Sequence, residues 1–92
     1  MIKTFRHRGL RRLFEHGDPS KVHADQVSRI RDVLAHLDLA LTPSDLNLPG
    51  YRLHKLKGDR QGMWTVTISG NWRITFQFDD GDAFAVDLLD YH

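Results

Sequence analysis

Met63-Trp64-Thr65-Val66-Thr67-Ile68-Ser69-Gly70-Asn71-Trp72-Arg73-Ile74-Thr75-Phe76-Gln77-Phe78-Asp79-Asp80-Gly81-Asp82 is the stretch that decides the fold. Its side chains alternate with a period of two, which is the signature of strands with one buried face. Residues 63–69 place Trp64, Val66 and Ile68 on one side. Gly70-Asn71 marks a tight turn. Residues 72–78 then set Trp72, Ile74, Phe76 and Phe78 against Arg73, Thr75 and Gln77 on the opposite face. Asp79-Asp80-Gly81-Asp82 is a strong hairpin signal, since Asp-Gly tolerates the left-handed backbone that two-residue turns demand. Residues 83–89 follow as another strand, with Phe84, Val86 and Leu88 expected on the core face.

Upstream of this stretch the period becomes helical. Residues 51–56 still suit a strand, joined to the next through the turn Gly58-Asp59-Arg60-Gln61-Gly62. Before them, Ala24, Val27, Ile30, Leu34, Leu37 and Leu41 form a stripe at spacings of three and four, predicting a helix that begins near His23 or Ala24 and closes at Thr42-Pro43. Asp25, Arg29, Asp32 and His36 are expected on its solvent side. Leu10, Leu13 and Phe14 predict a shorter helix over 8–16, ended by Gly17-Asp18-Pro19-Ser20. Residues 2–6 alternate and suit a short strand. The expectation is an α+β fold, a single domain over residues 1–92, with a short N-terminal strand and two helices packed on one face of a mainly antiparallel sheet.

A chain of 92 residues cannot divide its apolar content between two cores. It has no cysteine, which excludes disulfides, thiolate zinc sites and cysteine nucleophiles. The N-terminal residues lack an apolar signal segment, and no apolar run approaches the roughly 20 residues of a membrane span. A cytoplasmic protein without membrane association is expected. The net charge of +1 conceals an uneven distribution. Residues 1–31 hold eight Lys/Arg and three Asp/Glu, and residues 51–73 hold five and one, whereas residues 74–92 hold five aspartates and no Lys/Arg. Two basic segments permit a basic face for a polyanion, although a solvated surface of mixed sign also accounts for them.

Helices cover one side of so small a sheet, leaving Arg73, Thr75 and Gln77 on the other. Three places there concentrate groups able to cut RNA by attack of its own 2′-hydroxyl. That reaction needs a base, an acid and cations around the phosphate, and it needs no metal or cofactor. The first place is Arg52-Leu53-His54-Lys55-Leu56-Lys57-Gly58-Asp59-Arg60. Its cations favour a neutral, basic His54, and Lys57 and Arg60 can neutralise phosphate. A solvated edge strand with aggregation-deterring lysines is the alternative. The second is Arg73, a guanidinium on a rigid strand that can hold phosphate bidentately. The third is Asp90-Tyr91-His92, delivered directly by a strand to the rim of the sheet. Asp90 and a terminal carboxylate there favour a protonated His92, the form of an acid, and Tyr91 can stack on a base. His7, His16, His23 and His36 lack metal-ligand spacing and read as surface residues.

With Met1-Ile2-Lys3-Thr4-Phe5, Leu53-His54-Lys55-Leu56-Lys57-Gly58-Asp59-Arg60, Asn71-Trp72-Arg73-Ile74-Thr75-Phe76 and Asp90-Tyr91-His92 in this order, the chain resembles the HigB family of toxins within the RelE superfamily. The resemblance implies a RelE-like fold and a ribosome-dependent mRNA endoribonuclease that cuts in the A site of the 70S ribosome. Carried over by position, it implies functional roles for His54, Asp90, Tyr91 and His92, with Lys57 and Arg73 as phosphate-binding candidates. It further implies a HigA-type helix-turn-helix antitoxin, whose complex with the toxin binds operator DNA. One departure is Thr67, where many relatives carry a basic residue. Two other functions compete: a ParE-like toxin that poisons DNA gyrase, and a non-catalytic co-repressor. Neither requires the His54 and His92 pair.

Overall fold

The computed structural model describes residues 1–58 and 62–91. Helix α1 spans Arg8–His16, as the 8–16 pattern predicts. His7 Nδ1 accepts the Leu10 N–H at 3.1 Å and closes its first turn. At the other end Gly17 takes φ 68°, so that its N–H and that of Asp18 return to the Leu13 and Arg12 carbonyls. Leu10 and Leu13 are buried, while Phe14 stays at the rim with its ring 5.8 Å from that of Phe5.

A 3₁₀ turn over Ala24–Gln26 leads into helix α2, Val27–Leu39. Ile30, Val33, Leu34 and Leu37 face the core. The helix stops before Thr42, because Ala40 leaves the helical region and a second 3₁₀ turn over Pro43–Leu46 begins under a Thr42–Asp45 capping box. Two ends of the expected stripe therefore fail: Ala24 is exposed and Leu41 is 77% exposed. Arg29 is also not on an open face. It is half-buried, and its guanidinium lies 4.5 Å above the Tyr51 ring.

The sheet has four strands in the order β1-β2-β3-β4: His54–Lys55, Met63–Ser69, Trp72–Asp79 and Asp82–Asp90. Every neighbouring pair is antiparallel. Both helices lie on the face carrying Val66, Ile74, Phe76, Val86 and Leu88, and these residues share one core with Leu10, Ile30, Leu34 and Leu37. The β3–β4 turn uses Asp80 at φ 48° and Gly81 at φ 81°, the pair of positive angles that matches the right-handed twist of a hairpin. Residues 2–6 do not form a regular strand. They join β4 through isolated parallel bridges, Ile2 to Ala83 and Phe5 to Val86.

Two bulges alter the expected alternation. In β4, Gln77 pairs with Phe84 but Thr75 pairs with Asp87, so β4 carries one residue more than β3 over this interval. Ala85, at φ 54°, absorbs it. Phe84 is thereby moved off the core face, and Ala83 takes the buried position. On the other edge, the Thr67 N–H donates to the Tyr51 carbonyl at 2.8 Å, while His54 pairs with Thr65. Three residue steps from Tyr51 to His54 match two steps in β2, and Arg52 sits at φ 51° in the surplus position. The expected strand over 51–56 is consequently reduced to His54–Lys55. A left-handed conformation costs a residue bearing Cβ about 1–2 kcal/mol.

Candidate active site

On the helix-free face, strand pairing aligns His54, Thr65, Thr75 and Asp87 in one row across all four strands. The next row holds Thr67, Arg73 and Leu89. Over these rows lies an open cleft of about 420 Å³, lined by Arg52, His54, Thr65, Thr67, Arg73 and Tyr91, with Leu53 and Leu56 on its wall. His54 is exposed on the short edge strand. Its strand is held to β2 by the Thr65 pairing and, one residue beyond β1, by the Leu56 N–H donating to the Met63 carbonyl at 2.8 Å.

Behind this edge, the buried Tyr51 serves as an anchor. Its N–H donates to the Leu48 carbonyl at 3.0 Å, and its hydroxyl lies 3.1 Å from His36 Nδ1. Arg29 donates to the Gly50 carbonyl at 2.7 Å and to the Thr67 carbonyl at 3.2 Å, tying the chain before β1 to β2. Burial pushes the Tyr51 phenol above its ordinary pKa, with Arg29 opposing that shift. His36 lies on the surface, as expected, and through the Tyr51 hydroxyl it also takes part in positioning the cleft's edge.

Arg73 is fixed at the opposite side of the cleft. Its Nη1 donates to the Gly70 carbonyl at 2.7 Å and to the Trp72 carbonyl at 3.1 Å. Those bonds use one nitrogen of the fork to brace the β2–β3 turn. Tyr91 reaches the cleft because its N–H donates to the Asn71 carbonyl at 2.8 Å, continuing the hold of β3 on the end of β4. An imidazole, a phenol and two guanidinium groups thus border one trough. Such groups can exchange protons with a sugar hydroxyl and offset charge that develops on a phosphate.

Of the other expected site residues that the structure describes, Asp90 and Lys57 lie apart from this cleft. Asp90 pairs with Trp72 in β3 and lines a neighbouring cleft with His23, Gln26, Asn71 and Trp72, so strand alternation directs it away from Tyr91. Beside His54 on the edge strand, the Lys55 Nζ lies 5.4 Å over the Trp64 ring. Lys57 is exposed just beyond β1 and is not among the residues lining the cleft. Arg60 and His92 lie outside the described residues, as do Asp59 and Gln61. The sequence reading did not single out Thr65, Leu53 or Leu56 as lining residues, and it marked Thr67 only as a departure from the family's basic residue. The alternation of Trp64, Val66 and Ile68 already assigned the two threonines to this face.

Comparison with known proteins gives a consistent set of relatives. A family model described as the RelE-like toxin of the type II toxin–antitoxin system HigB matches residues 3–92. The chain is 52% identical to the endoribonuclease HigB of Proteus vulgaris over 92 residues, covering all of both chains. In fold it is similar to the YoeB dimer of Staphylococcus aureus, with a TM-score of 0.61 and 16% identity over 99% of this chain and 94% of that one. It is similar also to the YoeB–YefM complex of the same organism, with a TM-score of 0.59 and 19% identity over 100% of this chain and 95% of that one.

Proposed function

The chain belongs to the HigB-like family of RelE-like toxins, and from that premise we propose that it is a ribosome-dependent mRNA endoribonuclease that arrests translation. Endoribonuclease activity follows from its full-length likeness to a HigB endoribonuclease. The observation that carries the site assignment is the meeting of His54, Arg73 and Tyr91 in one open cleft on the helix-free face.

The proposed reaction is attack of a 2′-hydroxyl on the adjacent phosphorus, with departure of the 5′-oxygen and formation of a 2′,3′-cyclic phosphate. His54 and His92 share the acid–base work, one removing the hydroxyl proton and the other protonating the leaving oxygen. Arg73, with Lys57 and Arg60, offsets the charge gained by the phosphate. Tyr91 stacks on a nucleobase, and Asp90, which lines the neighbouring cleft, orients His92. No step requires a metal or cofactor. A single RelE-like domain over residues 1–92 carries the whole activity.

As a toxin of a toxin–antitoxin pair, the chain has an antitoxin as its partner. We assign a HigA-type helix-turn-helix protein to that role, with operator DNA bound only through the complex. The 70S ribosome presents the mRNA, which places the activity in the cytoplasm. Among the described residues no helix is long and apolar enough to cross a membrane.

Single-turnover cleavage on ribosomes programmed with a defined A-site codon tests the assignment. His54→Ala and His92→Ala are each expected to slow cleavage by roughly 10²–10⁴-fold. Full activity in both variants would sink it. Inhibition of gyrase supercoiling with ribosome-bound mRNA left intact would instead identify a toxin of the gyrase-poisoning kind.

A further inference from the structure

Arg52 occupies a position where the backbone favours glycine. Tyr51 is held on four sides: by the Leu48 carbonyl, the Thr67 N–H, the Arg29 guanidinium and the His36 ring. Two residues after Arg52, the His54–Thr65 pairing begins. The intervening chain must accommodate one surplus residue, and Arg52 does so at φ 51°. Bulges of this kind commonly place glycine in the left-handed position, and they re-aim side chains beside active sites. An arginine retains the strain, so its side chain needs a reason to be there.

The fold supplies no such reason. Arg52 is exposed, and among the described residues it makes no ion pair and no side-chain hydrogen bond. It nevertheless lines the cleft with His54, Arg73 and Tyr91. Arg73 differs from it, since Nη1 of that residue is committed to two carbonyls. Thr67, on the same wall, adds no charge. We propose that Arg52 is a phosphate-binding residue of this cleft, presented by the bulge to the backbone of a single-stranded RNA. The planar guanidinium suits two oxygens of one phosphodiester, and the rigid bulge lowers the entropy lost on binding. The identity of the ligand rests on the ribonuclease function proposed above.

The test uses the full chain and a 2′-O-methyl RNA, which keeps the phosphodiester backbone but lacks the attacking hydroxyl. Affinity is followed by fluorescence anisotropy over a range of salt concentrations, with the oligonucleotide free and on programmed ribosomes. Arg52→Gln keeps the strained backbone and removes the charge. It is expected to weaken binding roughly ten-fold and to reduce the salt slope by about 0.7, one phosphate contact on a single strand. Arg52→Gly is expected to show the same loss while unfolding at a temperature a few degrees higher. Arg52→Lys keeps the charge and is expected to preserve most of the salt slope. Unchanged affinity and slope in both Arg52→Gln and Arg52→Gly overturn the proposal, as does absence of binding by the unmodified chain. If the unmodified chain binds through Arg52 yet leaves cleavable RNA intact, the ribonuclease function fails and the Arg52 site stands.

Discussion

At Ala85 a methyl group occupies a left-handed backbone conformation, and the Ala85 N–H donates to Thr4 Oγ1 at 2.8 Å. Glycine would adopt this angle without strain, and a β-branched side chain would find it harder still. Ala85→Gly is therefore expected to stabilise the protein by about 0.5–1 kcal/mol, and Ala85→Val to destabilise it by about 1–2 kcal/mol. Urea denaturation of the two variants checks the opposed signs. Equal loss in both would show that the bulge is held by contacts of the methyl group. The same residue explains why Phe84 was misplaced by its pattern. Alternation is counted straight through a bulge, and a bulge whose left-handed residue is alanine or arginine lacks the glycine that would announce it. Arg52 hides the other bulge in the same way, so the cleft's edge was legible in composition but not in register.

Among the elements, α1 was the most legible, because its caps are local: Gly17 ends it through bonds to residues within the same turn. Gly9, inside it, has a different reason to be there. A Cβ at this position would lie 2.8 Å from the Lys21 Cβ and 2.9 Å from the Lys21 carbonyl oxygen. In an exposed helix interior, glycine to alanine gains about 1 kcal/mol from propensity. Here Gly9→Ala is expected to destabilise by about 1–3 kcal/mol, since the neighbouring loop backbone must move. A thermal melt showing stabilisation would mean that the 17–23 segment yields easily. Helix α2 was less legible at its ends. Leu41 continues an apolar rhythm that the chain does not bury, with an exposure of 77%. Periodicity registers apolar character and cannot distinguish a residue packed on the sheet from one beyond its edge.

For the molecule as a whole, the two-layer arrangement followed from which strand faces were apolar, but the composition of the site did not. Asp90 and Tyr91 are sequence neighbours whose side chains alternate across the strand. The pairing of Asp90 with Trp72 assigns the two to different clefts. Global stability also carries a pH dependence that charge counts conceal. Hydrogen bonds from Ser20 and from Arg12 lower Asp18 from 3.8 to about 2, and the Leu41 and Thr42 N–H groups lower Asp45. As pH falls from about 4 toward 2, the unfolded chain takes up these protons before the folded one does, so stability declines through that window. Asp45 is exposed and Asp18 only half-buried, and the decline they cause is correspondingly shallow. Urea midpoints measured across this range should be flatter for Asp18→Asn and Asp45→Asn than for the unmodified chain. An unchanged profile in both would assign acid sensitivity to other groups. The clasp between the first residues and β4 has a consequence for biosynthesis. The Lys3 N–H donates to the Ala83 carbonyl, and the Ala83 N–H returns to the Met1 carbonyl. Residues 1–3 thus wait for a partner translated some eighty codons later, as does the core face that Val86 and Leu88 complete. Folding cannot finish while β4 is still inside the exit tunnel. The core therefore closes only after β4 has cleared the ribosome, and a nascent chain shorter than that lacks the strand that delivers Tyr91 to the cleft.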